Sequence, residues 1–138
     1  MVAAAGAAVA KHGNRSVSSR SGSSDLIEAL GLPLDLDAPT AARLVDATGF
    51  TYMHAPAFHP AMRHVMPVRR ALGVRTIFNL IGPLLNPAHV EAQVVGVYAP
   101  EIMRPGAEAL SALGVASALV VHGAGLDEIS LHAPTRAI

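Results

Sequence analysis

The stretch VVGVYAPEIMRPGAEALSALGVASALVVH, from Val94 to His122, decides the fold class. Two of its segments, Val94–Tyr98 and Ala118–His122, are short apolar runs of the kind that form buried strands. The segment between them, Glu101–Leu113, has the length of a helix. Because a helix that links two adjacent strands makes them parallel, this order predicts a βαβ unit. The sequence therefore predicts an α/β protein with a parallel sheet and crossover helices.

The rest of the chain continues this alternation of strands, helices and turns. Glycine and proline mark most of the boundaries. The predictions are a strand at Gly6–Ala10, a loop at Lys11–Ser23, a helix that opens at Asp25 with a capping box to Glu28 and stops at Gly31, a helix from Asp37 to Gly49, a strand at Phe50–Met53, a loop at Ala55–Pro60, a helix from Pro60 to Gly73 that Pro67 kinks, and a tight turn at the end of Arg75–Asn86.

Length and composition narrow the classes of protein. The 138 residues fit one domain or a piece of one, and 51% are hydrophobic, enough for a sizeable core. The net charge is zero, which does not support a nucleic-acid partner. No cysteine is present, so disulfides and thiolate chemistry are excluded. The apolar start lacks basic residues and is too short for a membrane span, so we expect a cytoplasmic protein that does not bind a membrane.

The segment KHGNRSVSSRSGSSD, Lys11–Asp25, has the composition of an anion-binding loop. Gly13 and Gly22 let the backbone come close to a ligand, the serines supply donors, and lysine and arginine supply positive charge. Neither a P-loop nor a dinucleotide glycine pattern is present. A phosphate site and a solvated basic loop therefore both stay open on composition.

Two further groups could take part in binding. Arginine can hold a carboxylate through two parallel hydrogen bonds, and four arginines lie between Arg63 and Arg75, but periodicity does not say which one faces a ligand. Asp127 and Glu128 follow a predicted strand, where they could hold Mg²⁺ together with substrate phosphates or simply cap a turn. The spacing of the histidines does not suit a zinc site.

Three segments together resemble the anthranilate phosphoribosyltransferase family. They are KHGNRSVSSRSGSSDLIEALG at Lys11–Gly31, APAFHPAMRHVMPVRRALGVRTIFNLIGPLLNPA at Ala55–Ala88, and VHGAGLDEIS at Val121–Ser130. The resemblance runs along nearly the whole chain, in order and at the family's spacing. It implies the larger domain of the nucleoside phosphorylase/phosphoribosyltransferase fold, with residues 1–138 as a partial α/β glycosyltransferase-type domain without the family's N-terminal helical region.

The resemblance also implies a reaction. The amine of anthranilate attacks the anomeric carbon of phosphoribosyl pyrophosphate (PRPP), and pyrophosphate leaves with the help of Mg²⁺, a step of tryptophan biosynthesis. The aniline nitrogen is already nucleophilic, so we expect positioning and leaving-group stabilisation to dominate and assign no catalytic side chain. The full-length family implies a homodimer.

The family's binding residues carry over to named positions. By resemblance, PRPP is bound by Lys11, His12, Gly13, Asn14, Arg15, Ser16, Val17, Ser18, Ser19 and Ser23. By resemblance, anthranilate is bound by Asn14, Arg69, His12 and His59, and Mg²⁺ by Asp127 and Glu128.

Two alternatives stay open. One is a related phosphoribosyltransferase or nucleoside phosphorylase that uses another acceptor. The other is a truncated remnant without turnover, because the family's helical region and its glycine loop have no counterpart in this sequence. Binding and turnover assays with anthranilate and with nucleobases separate these alternatives.

Overall fold

The computed structural model describes residues 1–15, 21–72, 74 and 76–138, apart from the side chains of Arg63, Arg69 and Arg70. The chain divides into two compact units, Met1–Thr76 and Ile77–Ile138. A membrane-spanning helix needs a long apolar stretch, and none of the helices in the described residues has one.

Helices and strands alternate in both units. The α-helices are α1 (Ser23–Ala29), α2 (Ala38–Thr48), α3 (Ala55–Phe58), α4 (Met66–Leu72), α5 (Phe78–Leu84) and α6 (Met103–Ala112). The strands are β1 (Val9–Gly13), β2 (Phe50–His54), β3 (Ala92–Gly96), β4 (Ser117–His122) and β5 (Arg136–Ala137). Short 3₁₀ helices span Ala3–Ala5, Pro60–His64 and Pro100–Ile102.

In Met1–Thr76, β1 and β2 form a parallel pair, with α1 and α2 on the connection between them. The helix predicted from Asp37 to Gly49 is confirmed. The Asp37 carboxylate accepts a hydrogen bond from the Thr40 amide at 2.9 Å, and Gly49 ends α2 with a φ of 73°. Ile27 and Leu34 are buried against Tyr52, and Met53 on the opposite face of β2 is buried as well, so both faces of this strand are covered.

In Ile77–Ile138, the predicted βαβ unit is confirmed. β3 and β4 are parallel, and α6 connects them. β3 lies two residues before the predicted strand, since its ladder runs from Ala92 opposite Ser117 to Gly96 opposite Val121. The short β5 pairs antiparallel with β4 and completes a three-stranded sheet. The α/β class with a parallel sheet is therefore confirmed, with one antiparallel edge strand.

The core of this second unit lies between its sheet and α6. Val95 of β3 and Val97, which directly follows β3, pack against Val120 of β4. Met103 and Leu110 reach them from α6. Leu110 and Val120 are at most 1% exposed, so these two side chains are the centre of the cluster.

The first predicted strand was placed too early. Gly6–Ala10 was the prediction, but β1 runs from Val9 to Gly13, and the preceding chain forms a 3₁₀ turn that ends at Gly6 with a φ of 98°. Lys11–Gly13, predicted as loop, therefore belongs to β1. Pairing with the apolar β2 outweighs the low strand propensity of these polar residues.

The predicted opening of α1 at Asp25 was also wrong by two residues. The helix begins at Ser23, and Asp25 accepts a hydrogen bond from the Gly22 amide at 2.7 Å. Asp25 thus satisfies the helix start from inside the first turn rather than as the cap residue. The two serines can occupy the first turn because their hydroxyls bond to a side chain of β2.

The segment after β2 differs from its prediction in two places. Ala55–Phe58, predicted as loop, forms the short helix α3, since a proline in the first turn is compatible with a helix. The helix predicted from Pro60 to Gly73 is divided into a 3₁₀ turn and α4. Pro67 lies in the first turn of α4, so it starts a helix rather than kinking one. The turn predicted at the end of Arg75–Asn86 begins too early, because Gly82 and Pro83 belong to α5, which ends at Leu84.

We expect Leu110→Ala to lower the free energy of unfolding by about 2–5 kcal/mol, because it leaves a cavity at the centre of the second core. Leu113, at the end of the same helix, is 61% exposed and supplies the control. Leu113→Ala should change the free energy of unfolding by less than about 0.5 kcal/mol. Denaturant unfolding measures both, and equal losses for the two variants would contradict this description of the core.

Candidate functional site

The predicted PRPP-binding residues begin at the carboxyl end of β1. In the parallel ladder, Gly13 lies opposite His54, so both strands end at the same edge. This edge is where open α/β sheets bind ligands. Lys11 is exposed and makes no ion pair within the described residues, whereas His12 and Asn14 are half-buried. Lys11 is therefore a cation available to a ligand.

Buried hydrogen bonds join the start of α1 to β2. Ser24 Oγ lies 2.6 Å from Tyr52 Oη and 3.0 Å from His54 Nδ1, and Ser23 Oγ lies 3.0 Å from the same tyrosine oxygen. Ser24 and Tyr52 are at most 3% exposed. The Ser24 amide also donates to the Asn14 carbonyl at 3.4 Å. These bonds place Ser23 and Asn14, at the two ends of the predicted anion loop, beside each other.

The histidine in this network is held neutral by its surroundings. Burial lowers the pKa of His54 below its usual range, and the nearby Arg15 cation acts in the same direction. Asp35, Glu28 and Asp25 oppose the shift through their negative charges. At neutral pH, His54 is therefore an uncharged partner for Ser24.

Gly13 lets these groups come together. A Cβ at Gly13 would lie 2.5 Å from Tyr52 Oη and 2.6 Å from Ser23 Oγ, which no side chain tolerates without displacing them. The glycine thus serves a close approach of two hydroxyl groups to the backbone, and its φ is not in the left-handed region.

Arg15 contacts two carboxylates on α1. Its guanidinium makes two hydrogen bonds of 2.8 Å to Glu28 and one of 3.0 Å to Asp25. The pairing raises the pKa of Arg15, and the same hydrogen bonds lower the pKa of Glu28. These hydrogen bonds attach Arg15 to α1. Because two carboxylates offset the charge of Arg15, Lys11 is the more available cation for a phosphate.

The two histidines predicted to bind anthranilate lie together. The rings of His12 and His59 have centroids 5.0 Å apart and meet edge to face at 76°. Asn14, from the same predicted set, accepts a hydrogen bond from the Arg15 amide through Oδ1 at 2.8 Å. The backbone of Arg69 belongs to α4, and its side chain lies outside the described part of the chain. Ser16, Val17, Ser18 and Ser19 also lie outside the described residues.

The acidic pair of Ile77–Ile138 lies just beyond a tight turn after β4. Gly123 and Leu126 exchange two backbone hydrogen bonds, and Ala124 and Gly125 between them have positive φ values. The buried His122 fixes this turn, because its Nδ1 lies 2.8 Å from the Val97 carbonyl and its Nε2 accepts from the Gly125 amide at 3.2 Å. The pattern is that of a neutral imidazole protonated on Nδ1.

Two glycines hold the backbone of the acidic pair against the strands. A Cβ on Gly96 would overlap the Asp127 carbonyl, and one on Gly123 would overlap the Glu128 carbonyl. Both carboxylates are exposed, and within the described part of Ile77–Ile138 neither makes a hydrogen bond or an ion pair. Their position is therefore set by backbone packing, which leaves the oxygens available.

These oxygens suit Mg²⁺, which is commonly bound by one or two carboxylates together with water and substrate phosphates. Within the described residues, no three His, Asp or Glu side chains cluster closely enough to hold a metal ion by themselves. Asp127 and Glu128 can thus supply part of a coordination shell that a phosphate ligand and water complete.

Sequence reasoning did not assign a role to several residues that position the site. Ser24, Tyr52 and His54 depend on the register between two strands far apart in sequence, and no local pattern indicates that register. The Arg15 pairing had a partial signal, because Asp25 and Glu28 are three apart and share a helix face. His122 ends a predicted strand, and its two bonds depend on the turn that follows.

A family model described as "Glycosyl transferase family, a/b domain" matches residues 1–138. The chain therefore belongs to this family of glycosyl transferases. The predicted resemblance to anthranilate phosphoribosyltransferases is confirmed, since the chain is 57% identical over 138 residues to the enzyme of Idiomarina loihiensis and 56% identical over 136 residues to that of Aeromonas hydrophila. It covers 41% and 40% of those two proteins, respectively.

Solved structures agree with these relatives. The anthranilate phosphoribosyltransferase of Thermus thermophilus superimposes with a TM-score of 0.84 at 53% identity, over 99% of this chain and 44% of its own. The Saccharomyces cerevisiae enzyme in complex with PRPP and Mg superimposes with a TM-score of 0.82 at 34% identity. This match covers 94% of this chain and 39% of the yeast chain. The same yeast enzyme has been solved with 4-fluoroanthranilate, with a TM-score of 0.74 and 31% identity over 96% of this chain and 39% of its own.

Gly13→Ala should destabilise the chain by about 1–3 kcal/mol, because the added methyl group displaces Tyr52 Oη and Ser23 Oγ. Gly106→Ala is the matched control, since a Cβ there meets Val120 at an ordinary 3.9 Å. The free energy of unfolding of Gly106→Ala should rise by about 0.5–1 kcal/mol, because alanine has a higher helix propensity than glycine. Thermal and denaturant unfolding measure both, and a neutral Gly13→Ala would disprove the close approach.

Proposed function

We propose that this chain binds PRPP, Mg²⁺ and anthranilate and serves the transfer of the phosphoribosyl group to anthranilate, which gives N-(5-phosphoribosyl)anthranilate in tryptophan biosynthesis. Family membership and the names of the similar proteins support the proposal. The observation that carries it is the convergence of Gly13, Asn14 and Ser23 at the end of the β1–β2 pair, beside the exposed Lys11.

For PRPP, we assign the diphosphate to Lys11, Ser23 and the loop that joins Asn14 to Ser23. Lys11 supplies charge, Ser23 supplies a hydroxyl donor, and Gly13 keeps the backbone open at the point of approach. We include His12, Arg15, Ser16, Val17, Ser18 and Ser19 in this binding segment.

For anthranilate, the proposal uses the ring pair of His12 and His59. Two imidazole rings at 5.0 Å offer flat surfaces and ring edges that suit an aromatic acid. We assign the Asn14 amide to the same ligand, and the Arg69 guanidinium to its carboxylate, because arginine matches a carboxylate with two parallel hydrogen bonds.

For Mg²⁺, we assign Asp127 and Glu128. When bound, the ion stabilises negative charge on the leaving diphosphate. The exposed carboxylates and the glycine-packed backbone beneath them support this assignment.

The reaction needs little chemistry from side chains. The amine nitrogen of anthranilate forms a bond to the anomeric carbon, the bond from that carbon to the diphosphate oxygen breaks with its electron pair, and the nitrogen loses a proton to solvent. The chain would contribute by orienting the two substrates and by placing positive charge beside the leaving group. The cytoplasmic location, the homodimer and the lack of a nucleic-acid partner stay predictions of the sequence.

The direct experiment titrates the purified 138-residue chain with PRPP, with and without Mg²⁺, by calorimetry, and then follows product formation from anthranilate. We expect Mg²⁺-dependent binding of PRPP. Binding without product identifies a ligand-binding chain without turnover. No heat with PRPP contradicts the proposed function.

Arg69→Ala should weaken anthranilate binding by at least about tenfold and leave PRPP binding unchanged, because it removes the partner of the acceptor carboxylate. Arg104→Ala on the exposed face of α6 is the control and should change neither affinity. Titration of each variant with each substrate measures the effect. If anthranilate binds equally well to Arg69→Ala, the carboxylate assignment is wrong.

Asp127→Asn and Glu128→Gln should each weaken Mg²⁺-dependent binding of PRPP, because each removes a charged oxygen ligand. Removing a residue that only hydrogen-bonds to a metal ligand already lowers metal affinity by roughly tenfold or more. We expect each of these substitutions, which change a proposed ligand itself, to lower the affinity by at least as much. Glu108→Gln on α6 removes an exposed carboxylate elsewhere and should have no effect. Titration with Mg²⁺ at fixed PRPP gives the affinities, and unchanged affinities in both acidic-pair variants would refute the metal assignment.

A further inference from the structure

Four polar groups form a continuous hydrogen-bonded series behind the proposed diphosphate site. It runs from Ser23 Oγ to Tyr52 Oη at 3.0 Å, on to Ser24 Oγ at 2.6 Å, and ends at His54 Nδ1 at 3.0 Å. Ser24, Tyr52 and His54 are 0%, 3% and 8% exposed, so water has little access to the inner members. Ser23, half-buried at the start of α1, is the outer end of the series.

Counting the donor protons shows that this series can have either of two directions. Each hydroxyl group has one proton to donate, and the buried Tyr52 hydroxyl has Ser23 and Ser24 as its recorded partners. If Tyr52 donates to Ser24, all the protons point toward His54, and if it donates to Ser23, all of them point toward Ser23. In the first case, Ser23 donates to Tyr52, and the series ends on an unprotonated Nδ1. In the second case, Nδ1–H donates to Ser24, Ser24 donates to Tyr52, and Tyr52 donates to Ser23.

The two directions present different groups to a ligand. When the protons point toward His54, the Ser23 hydroxyl is used internally, and its lone pairs face outward, which disfavours an anion. When they point toward Ser23, its own proton is available for a phosphate oxygen. An anion bound at Ser23 therefore favours the state with a proton on Nδ1 of His54.

We propose that Ser24, Tyr52 and His54 form a positioning relay, in which the Nδ1–H of His54 directs the hydroxyl proton of Ser23 outward to a phosphate oxygen of the ligand. This inference rests on the proposed function, because it needs an anion at Ser23. It assigns His54 and Tyr52 roles that act through Ser23 rather than by contact with the substrate.

The position of His54 suits the relay. Nδ1 is turned to Ser24, and the residue lines an open cleft of about 460 Å³ together with Arg15, Glu28 and Asp35. Burial lowers the pKa of His54, so the ring is neutral at pH 7 and carries one proton.

The first test needs no ligand. Nitrogen-15 NMR of the imidazole groups distinguishes Nδ1–H from Nε2–H, and comparison with the spectrum of His54→Asn assigns the His54 signals among the seven histidines. We expect His54 to be neutral at pH 7 and protonated on Nδ1. A neutral ring protonated on Nε2, both in the free chain and with inorganic pyrophosphate bound, would overturn the relay.

The second test uses the affinity for inorganic pyrophosphate. The amide nitrogen of asparagine can stand in for Nδ1–H, so His54→Asn should keep the affinity within about twofold of the unchanged chain. His54→Phe and Tyr52→Phe each remove a donor of the relay, and both should weaken binding by roughly three- to tenfold. The contrast between His54→Asn and His54→Phe is what a purely space-filling role for His54 would not produce.

Thr51→Val is the matched control on the same strand. Thr51 is 3% exposed, and its hydroxyl has no hydrogen-bond partner in the described part of the chain. This variant should bind pyrophosphate like the unchanged chain. Thermal unfolding of each variant shows whether it is folded, and the NMR test stands if His54→Phe or Tyr52→Phe fails to fold.

The outcomes separate the relay from the proposed function. If the unchanged chain does not bind pyrophosphate, the proposed function fails, and the binding role of the relay fails with it. If the unchanged chain binds but His54→Phe and Tyr52→Phe bind as tightly, the relay is wrong and the proposed function stands.

Discussion

The parallel pairing of β1 with β2 is the constraint on which the first unit depends. It brings Gly13 opposite His54, and this places the polar end of one strand beside the buried Tyr52 of the other. The bonds from Tyr52 to Ser23 and Ser24 then fix the start of α1 against the sheet. Asn14 and Ser23, at the two ends of the predicted anion-binding segment, are thereby held in defined positions.

The second unit uses packing rather than side-chain bonds for the same purpose. Gly96 and Gly123 allow the backbone at Asp127 and Glu128 to lie directly against the strands, and His122 closes the preceding turn. The carboxylates take no part in this support. In this unit, the proposed metal-binding residues and the residues that hold the backbone are therefore separate, since Asp127 and Glu128 are exposed and His122 is buried.

Some of this could be predicted from the sequence. The βαβ unit follows from the lengths and apolar content of its segments, and α2 follows from Asp37 and Gly49 at its ends. Local patterns failed where tertiary pairing decided the structure, as in the polar residues Lys11–Gly13, which extend as a strand only because β2 lies beside them. The contacts of Tyr52 and His54 join residues about thirty positions apart, and a single sequence contains no signal of that proximity.

The paired ends of β1 and β2, together with Ser23, form the proposed site for a diphosphate. A crystal structure of this chain with PRPP and Mg²⁺ tests it most directly. We expect a phosphate oxygen within about 3 Å of Ser23 Oγ and another beside the ammonium group of Lys11. A diphosphate bound elsewhere, with Ser23 and Lys11 both out of contact, would contradict it.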